Sequence, residues 1–511
     1  MLFNSYSFIF LFLPVVLAGY FVLGRSGNLA PVVWLALASL AFYAYGNWQY
    51  LPLLLASIAF NYAIGYLLIA KELRPNLRFA VLTASVAGDL LLLGIFKYAG
   101  FLTANFNEAF STGFVVNILL PVGISFYTFT QIAFLVDAYR GKVARYALPH
   151  YALFVTYFPH LIAGPILHHR DMIPQFERAE AKRPDPHLIL CGLIIFAIGL
   201  FKKTCLADGI QPLVGPAFGP GSPTFDQAWI GALAYTFQLY FDFSGYSDMA
   251  IGISLMFGIF LPLNFNSPYK AVSIVDFWRR WHMTLSQFLR DYLYISLGGN
   301  RRGPVMRYVN LMITMLLGGL WHGAGWTFVL WGGLHGLYLT IHHAWQALRI
   351  RLGHDVAHAS SAGRTIGIAL TFLAVVVAWV FFRAPTLHGA LSILHAMSGL
   401  NGVTLPDAIA LRAGTFANWL TAWGVVFTPG GGRDFMMTYV WVMALLPVVF
   451  LAPNTQQIMH RFSPALDQRA DGDNSIFAWS PQWRWIVAMA FVLACGLLSL
   501  TQPTEFLYFQ F

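Results

Sequence analysis

This sequence is poor in charge. Only 10% of its 511 residues are Asp, Glu, Lys or Arg, against about 25% in a soluble domain, which excludes an ordinary water-exposed surface over most of the chain. Cysteine is scarce as well. Cys191, Cys205 and Cys495 are scattered with no CxxC spacing, so neither a disulfide framework nor a thiolate metal site is indicated, and they read as packing residues. No HExxH occurs, and the pairs His168/His169 and His342/His343 are adjacent rather than four apart, so no metal site is expected. Internal repeats, heptad runs and low-complexity tracts are missing too, which leaves one domain over residues 1–511. The apolar N-terminus has no positive region before it and no small-residue cleavage site after it, so the first helix is expected to be retained.

What is present is apolar sequence: 58% hydrophobic residues and a mean hydropathy of +0.64. That is more than one globular core can bury, and much of it comes in blocks able to cross a hydrocarbon layer ~30 Å thick. Candidate spans fall near residues 6–24, 29–46, 50–70, 78–97, 115–137, 188–206, 228–258, 308–321, 326–347, 366–383, 436–452 and 484–501. The expected fold class is an all-α polytopic membrane protein of about 11–13 spanning helices. N-terminal helices occupy 1–150, a motif-bearing core 151–348, and C-terminal helices 349–511.

The net charge of +9 could suggest a nucleic-acid footprint, but the positive residues sit in short segments between apolar blocks. That is the positive-inside pattern of a protein surrounded by lipid, and no nucleic-acid partner is expected. Arg25, then Lys71, Arg74 and Arg78, then Arg140, Lys142 and Arg145 fall on alternate loops, which puts those loops in the cytosol and the N-terminus outside. The basic run from Arg170 to Arg183 would break this alternation if residues 151–168 crossed fully. Pro159, Gly164 and Pro165 punctuate that stretch, so a re-entrant hairpin buried by protein is expected. The richest basic segment, Arg279, Arg280, Arg290, Arg301, Arg302 and Arg307, also counts to the cytosol. Phe277, Trp278, Trp281 and Tyr292 are interleaved with it, as in helices lying at the headgroup level. The segment near 388–434 has Gly and Pro but few basic residues and reads as an extracytoplasmic insertion.

Ionisable side chains at membrane depth are costly and point to function. His322 lies in Gly318-Gly319-Leu320-Trp321-His322-Gly323-Ala324-Gly325-Trp326, with apolar helices on both sides. About fifteen residues separate it from Arg307, a rise of ~20 Å, which is short of a full crossing. The flanking glycines allow a helix break and close backbone approach. A neutral imidazole suits proton abstraction near neutral pH, while the plain alternative is a histidine hydrogen-bonded between packed helices. His282, in Asp276-Phe277-Trp278-Arg279-Arg280-Trp281-His282, reads equally as an interfacial or a functional histidine; Asp276 has a local ion pair with Arg279 or Arg280 as its plain explanation. His335 could line the same cavity as His322, with core packing the simpler role. Asp242 and Asp248 are conspicuous at depth but lie six residues apart, a rotation of ~600°, and so face different ways; one could cap a helix break at Ser244-Gly245. Gly245-Tyr246-Ser247-Asp248-Met249 only begins like GxSxG and lies in a membrane helix, so any nucleophile should come from the acceptor.

Five runs then occur in order: Leu120 to Phe129, Phe241 to Gly252, Asp276 to His282, Gly298 to Gly303 and Trp321-His322-Gly323. Together they resemble the membrane-bound O-acyltransferase family over essentially the full length, and the aromatic tail Phe506 to Phe511 resembles its alginate-type branch. The resemblance implies a ring of tilted helices around a thin central floor, with re-entrant and interfacial helices and a tunnel between two funnels. It implies catalytic roles for His322 and His282, acetyl-CoA as cytosolic donor with no permanently bound cofactor, and export of the acetyl group to a periplasmic SGNH-type partner that modifies a polysaccharide at the inner membrane. Arg279, Arg280, Arg301 and Arg302 could then meet CoA phosphates, with Asn300, Trp321, Asp242 and Asp248 as further candidates for donor or substrate binding. The same arginines are equally explained by topology alone. Acetylation of cellulose or another glycan, teichoic acid D-alanylation, and a glycan or lipid transporter without chemistry are the competing readings.

Overall fold

The computed structural model describes residues 1–70, 73–355, 360–429, 432–466, 478–502, 504 and 507; Lys71 and all of the aromatic tail except Leu507 lie outside the described residues. A helix stands at each of the twelve expected places. In chain order these are α1 (Leu13–Gly24), α2 (Leu29–Asn47), α3 (Leu51–Ala70), α4 (Pro75–Phe110), α5 (Ile124–Tyr139), α6 (Pro186–Phe201), α7 (Phe225–Met256), α8 (Pro304–His322), α9 (Trp326–Arg351), α10 (Ser361–Arg383), α11 (Gly432–Leu451) and α12 (Trp483–Leu498). Among the described residues five helical segments are long and apolar enough to cross a bilayer unaided: 29–70, 75–110, 186–213, 361–383 and 483–501. The chain is an all-α polytopic membrane protein; its one sheet among the described residues is a two-stranded parallel pair, β1 (Val403–Pro406) with β2 (Val425–Thr428).

Two elements differ from expectation. The fifth span was expected from residue 115, but α5 begins only at Ile124 and the chain before it is extended, with Val115 and Leu119 exposed. Pro121 lacks an N–H and disfavours helix in the residue before it, and Gly123 turns the chain at φ 75°, so the helix cannot start earlier. Secondly, α7 runs unbroken through Ser244-Gly245, so neither Asp242 nor Asp248 caps a break.

The stretch 151–168 does not form one crossing helix. The helix Leu148–Thr156 stops at Tyr157, a single turn follows at Phe158–Leu161, and the chain then returns in extended form to His168. Its two ends meet, with the rings of Tyr146 and His169 6.1 Å apart and His169 3.4 Å from Asp137 at the end of α5. Residues 153–167 are all buried, as irregular backbone at membrane depth must be.

Long-range contacts sort the loops into two faces. Arg78 donates to the carbonyls of Leu68, Ala138 and Tyr139, tying the loops after α3 and α5 together, and Arg140 lies over the ring of Tyr292. This is the basic face. On the opposite face, Tyr50 donates to the Leu119 carbonyl. The segment from Leu387 to Thr428 packs on the N-terminal end of α7, where Phe225 N–H reaches the Gly402 carbonyl and Thr404 donates to Asp226.

α7 is the buried axis, with every residue from Ala234 to Met256 inside. Its partner α6 approaches through glycines seven residues apart on each helix: a Cβ on Gly199 would stand 2.6 Å from the Gly245 carbonyl, and one on Gly192 2.5 Å from that of Gly252. Without small residues these backbones could not pack this closely. The approach places the turn after α6 against α7 and dictates where the α7 carboxylates go.

Candidate functional site

α8 ends at His322 because Gly323 leaves helical geometry (φ −160°, ψ 150°), and the chain turns tightly at Ala324, where Gly325 N–H reaches the Gly323 carbonyl, before α9 begins. The two helices re-pack at once: Gly319 of α8 and Gly332 of α9 meet backbone to backbone. This break presents the imidazole inside the protein. His322 is 5% exposed, and its ring is enclosed by Trp321, Trp331 and Phe382 at centroid distances of 4.8, 5.0 and 5.2 Å. Trp331 is itself stacked on Trp379, so the enclosure is rigid. Nδ1 of His322 has no hydrogen-bond partner among the described residues.

His282 also approaches Trp321, its ring 6.2 Å from that indole. Its backbone is left-handed (φ 42°), an uncommon conformation for a residue with a Cβ that costs roughly 1–2 kcal/mol. Asn264 holds the turn. Its side-chain oxygen accepts from Thr284 N–H and Oγ1 and lies 3.0 Å from His282 Nδ1, while its backbone carbonyl accepts from Met283 N–H. An amide oxygen can only accept, so Nδ1 of His282 carries the proton and Nε2 is the basic nitrogen. His335 is fully buried one ring further on, accepting from the indole N–H of Trp278 at 3.2 Å; it packs against Trp331 rather than lining the cleft at His322.

Two cavities flank this histidine layer and share no lining residue. On the face opposite the basic loops, a cleft of about 60 Å³ is lined by Lys97, residues 120–126, Ile162, Trp321 and His322. Its wall is the turn into α5 and the tip of the 151–168 excursion. On the basic face, a cavity of about 600 Å³ reaches inward to Met283, Thr284, Thr314 and Met315, with Arg279, Arg290, Arg307 and His343 around it. Arg279 has no acidic partner among the described residues, whereas Arg290 pairs with Asp291 and Arg307 donates to His343.

The remaining candidates fall elsewhere. Arg280 is held by Asp276 at 2.8 Å in the local i, i+4 pair, and Asn300, Arg301 and Arg302 sit exposed in the turn before α8. None of these four lines either cavity. Asp242 and Asp248 are buried in ion pairs with successive lysines of the turn after α6: Lys203 to Asp242 at 2.7 Å, and Lys202 to Asp248 at 2.6 Å. Lys203 also binds Asp208, and Asp248 accepts from Thr455. Sequence reasoning passed over Lys97, Asn264, Thr284 and the two lysines. A lone Lys at the end of an apolar run was the available signal for Lys97, and Lys202 and Lys203 stand inside the expected span 188–206; Asn264 and Thr284 had none.

The imidazole of His322 is thus enclosed at a broken helix, in the wall of the small cleft, with the larger cavity on the basic face. The chain matches the membrane-bound O-acyltransferase family over residues 27–358, more than half its length, and belongs to that family. It is an O-acyltransferase. It is 46% identical over 435 residues to the peptidoglycan O-acetyltransferase of Helicobacter pylori, covering 79% of this chain and 81% of that protein. It is 42% and 40% identical to the probable alginate O-acetylases of Azotobacter vinelandii and Pseudomonas aeruginosa, in each case over the full length of both chains.

Proposed function

We propose that this enzyme takes the acetyl group of cytosolic acetyl-CoA and delivers it, through the inner membrane, to an acceptor on the periplasmic side for O-acetylation of an alginate-type exopolysaccharide by an SGNH-type partner. The observation that carries this reading is a small cleft with His322 in its wall on one face and, on the basic face, a larger arginine-ringed cavity that reaches Met283 and Thr284, next in the chain to the buried His282. The basic cavity is the size of a small-molecule site and holds cations suited to phosphate, so CoA enters there with Arg279 as its first contact. The opposite cleft admits only the tip of an acceptor, and His322 stands in its wall.

In this scheme His322 removes the proton from the acceptor hydroxyl as its oxygen attacks the thioester carbonyl. The tetrahedral intermediate collapses with cleavage of the C–S bond, and the imidazolium returns the proton to the departing CoA sulfur. His282, fixed in one tautomer by Asn264, orients the reacting groups beside Trp321. Such base catalysis is worth about 10²- to 10⁴-fold. A second acceptor class, peptidoglycan, is favoured by the 46% identity to the Helicobacter pylori protein.

The test is to reconstitute the purified protein in vesicles, supply labelled acetyl-CoA on one side only, and offer mannuronate or peptidoglycan oligosaccharides with candidate partners on the other. Label should appear in the acceptor compartment, and only when donor faces the arginines. Acceptor labelling in the donor compartment alone refutes delivery across the membrane, and failure to consume acetyl-CoA with any partner refutes it as the donor. Which oligosaccharide is labelled identifies the polymer.

A further inference from the structure

We propose that Lys97 and Tyr98 of α4 are positioning residues that hold His322 in its working place by taking over the hydrogen bonds lost where α8 breaks. The last four carbonyls of a helix have no intrahelical partner, and at α8 that end is largely buried, with Trp321 and His322 each 5% exposed, so the protein must supply most of the partners. The structure supplies three of them from two neighbouring side chains. Tyr98 Oη donates to the Leu320 carbonyl at 2.8 Å; Lys97 Nζ donates to the carbonyl of Trp321 and, at 3.2 Å, to that of His322 itself.

The same face of α4 also grips the chain after the break. Phe101 packs on Trp326 at 5.7 Å, and Asn105 accepts the Trp326 indole N–H at 2.8 Å. Positions 97, 101 and 105 are four apart and share one stripe of the helix. α4 thus spans the turn carrying His322, fastening the end of α8 with one pair of residues and the start of α9 with another.

The charge of Lys97 is part of the device. Among the described residues it has no carboxylate partner; it lies over the Trp321 ring at 5.8 Å and lines the cleft beside His322. Its balance comes from the carbonyls it caps, which carry the negative end of the α8 dipole. A neutral side chain of equal bulk would fill the space and leave these carbonyls orphaned, so the ring they anchor would lose its register.

This inference rests on His322 being the catalytic base, and the experiment separates the two. CoA release from acetyl-CoA is followed for the full-length protein in vesicles, with a mannuronate oligosaccharide as acceptor and the SGNH-type partner that supports transfer in the parent protein. Lys97→Met is expected to lower kcat about 100-fold, the range for lost hydrogen bonds to a charged group, with the KM for acetyl-CoA within about twofold of the parent. Lys97→Ala is expected to recover at least about tenfold when ethylammonium is added, because the vacated cleft readmits a cation. Tyr98→Phe, which removes one hydroxyl and keeps the fold if the lysine variants do not fold, is expected to lose about fivefold in kcat. Unchanged kcat in Lys97→Met or in Tyr98→Phe, or a loss that appears in donor KM instead, overturns the proposal. Absence of ethylammonium rescue in a folded Lys97→Ala protein overturns it as well. If His322→Gln keeps full turnover, the base assignment fails whatever Lys97 does; if His322→Gln is inactive and Lys97→Met is not, only the clamp is wrong.

Discussion

The two cavities differ tenfold in size, about 60 Å³ on one side of the histidine layer and about 600 Å³ on the other, and they are built by opposite means. The small cleft is made of backbone turns and apolar side chains, with Lys97 as its single cation. The large cavity is ringed by arginines and a histidine. The cleft lies far below the ~300–1,000 Å³ of ordinary small-molecule pockets, so it suits part of an acceptor rather than the whole of one. In the proposed scheme this difference gives selectivity on the two sides different physical origins: shape at the cleft, charge at the cavity.

The strongest way to break this comparison is at the residue facing the cleft. His322→Ala should reduce acetyl transfer by about 10²- to 10⁴-fold while binding of acetyl-CoA, measured by calorimetry, stays intact. Retained transfer would remove the chemical meaning of the cleft. Next in size is Gly123→Ala in the cleft wall. A side chain there must adopt φ 75° and would stand 2.6 Å from the Leu161 carbonyl, so turnover should fall about tenfold with donor KM unchanged. A rise in donor KM instead would show that the two sides are not separate. On the large cavity, Arg279→Ala should raise the KM for acetyl-CoA about tenfold at low salt, with kcat little changed. That effect should shrink as ionic strength rises and screening takes over; a salt-independent effect would argue for packing. The smallest effect is expected for Arg301→Ala with Arg302→Ala, within about twofold on every constant, because surface substitutions away from specific partners change little. A large donor effect from that pair would move the donor site away from the cavity.

Much of the site was legible because membranes make polar residues conspicuous. His322 announced itself as an imidazole inside a glycine-flanked apolar run, and the glycines do break the helix there. Arg279 was visible in the basic segment, but its neighbours Arg280, Arg301 and Arg302 could not be told apart from it. Charge type carries no direction, and only the fold turns Arg280 onto Asp276 and leaves the other two in an exposed turn. The six-residue separation of Asp242 and Asp248 correctly implied different facings, and they do meet different lysines; which lysines could not be foreseen. That depended on glycines of two helices, Gly199 with Gly245 and Gly192 with Gly252, meeting face to face.

By itself the sequence determined the solvent, the helical class, the places of the helices and the histidine at the break, because hydropathy, proline and glycine act locally and the bilayer forbids most alternatives. Tertiary structure alone decided which groups stand around that histidine. Lys97 lies more than 200 residues before the carbonyls it caps, the Asn264 amide that fixes His282 comes from a separate loop, and the two cavities exist only between elements distant in the chain. Such contacts follow from how whole helices pack, and no pattern confined to one stretch of residues encodes them.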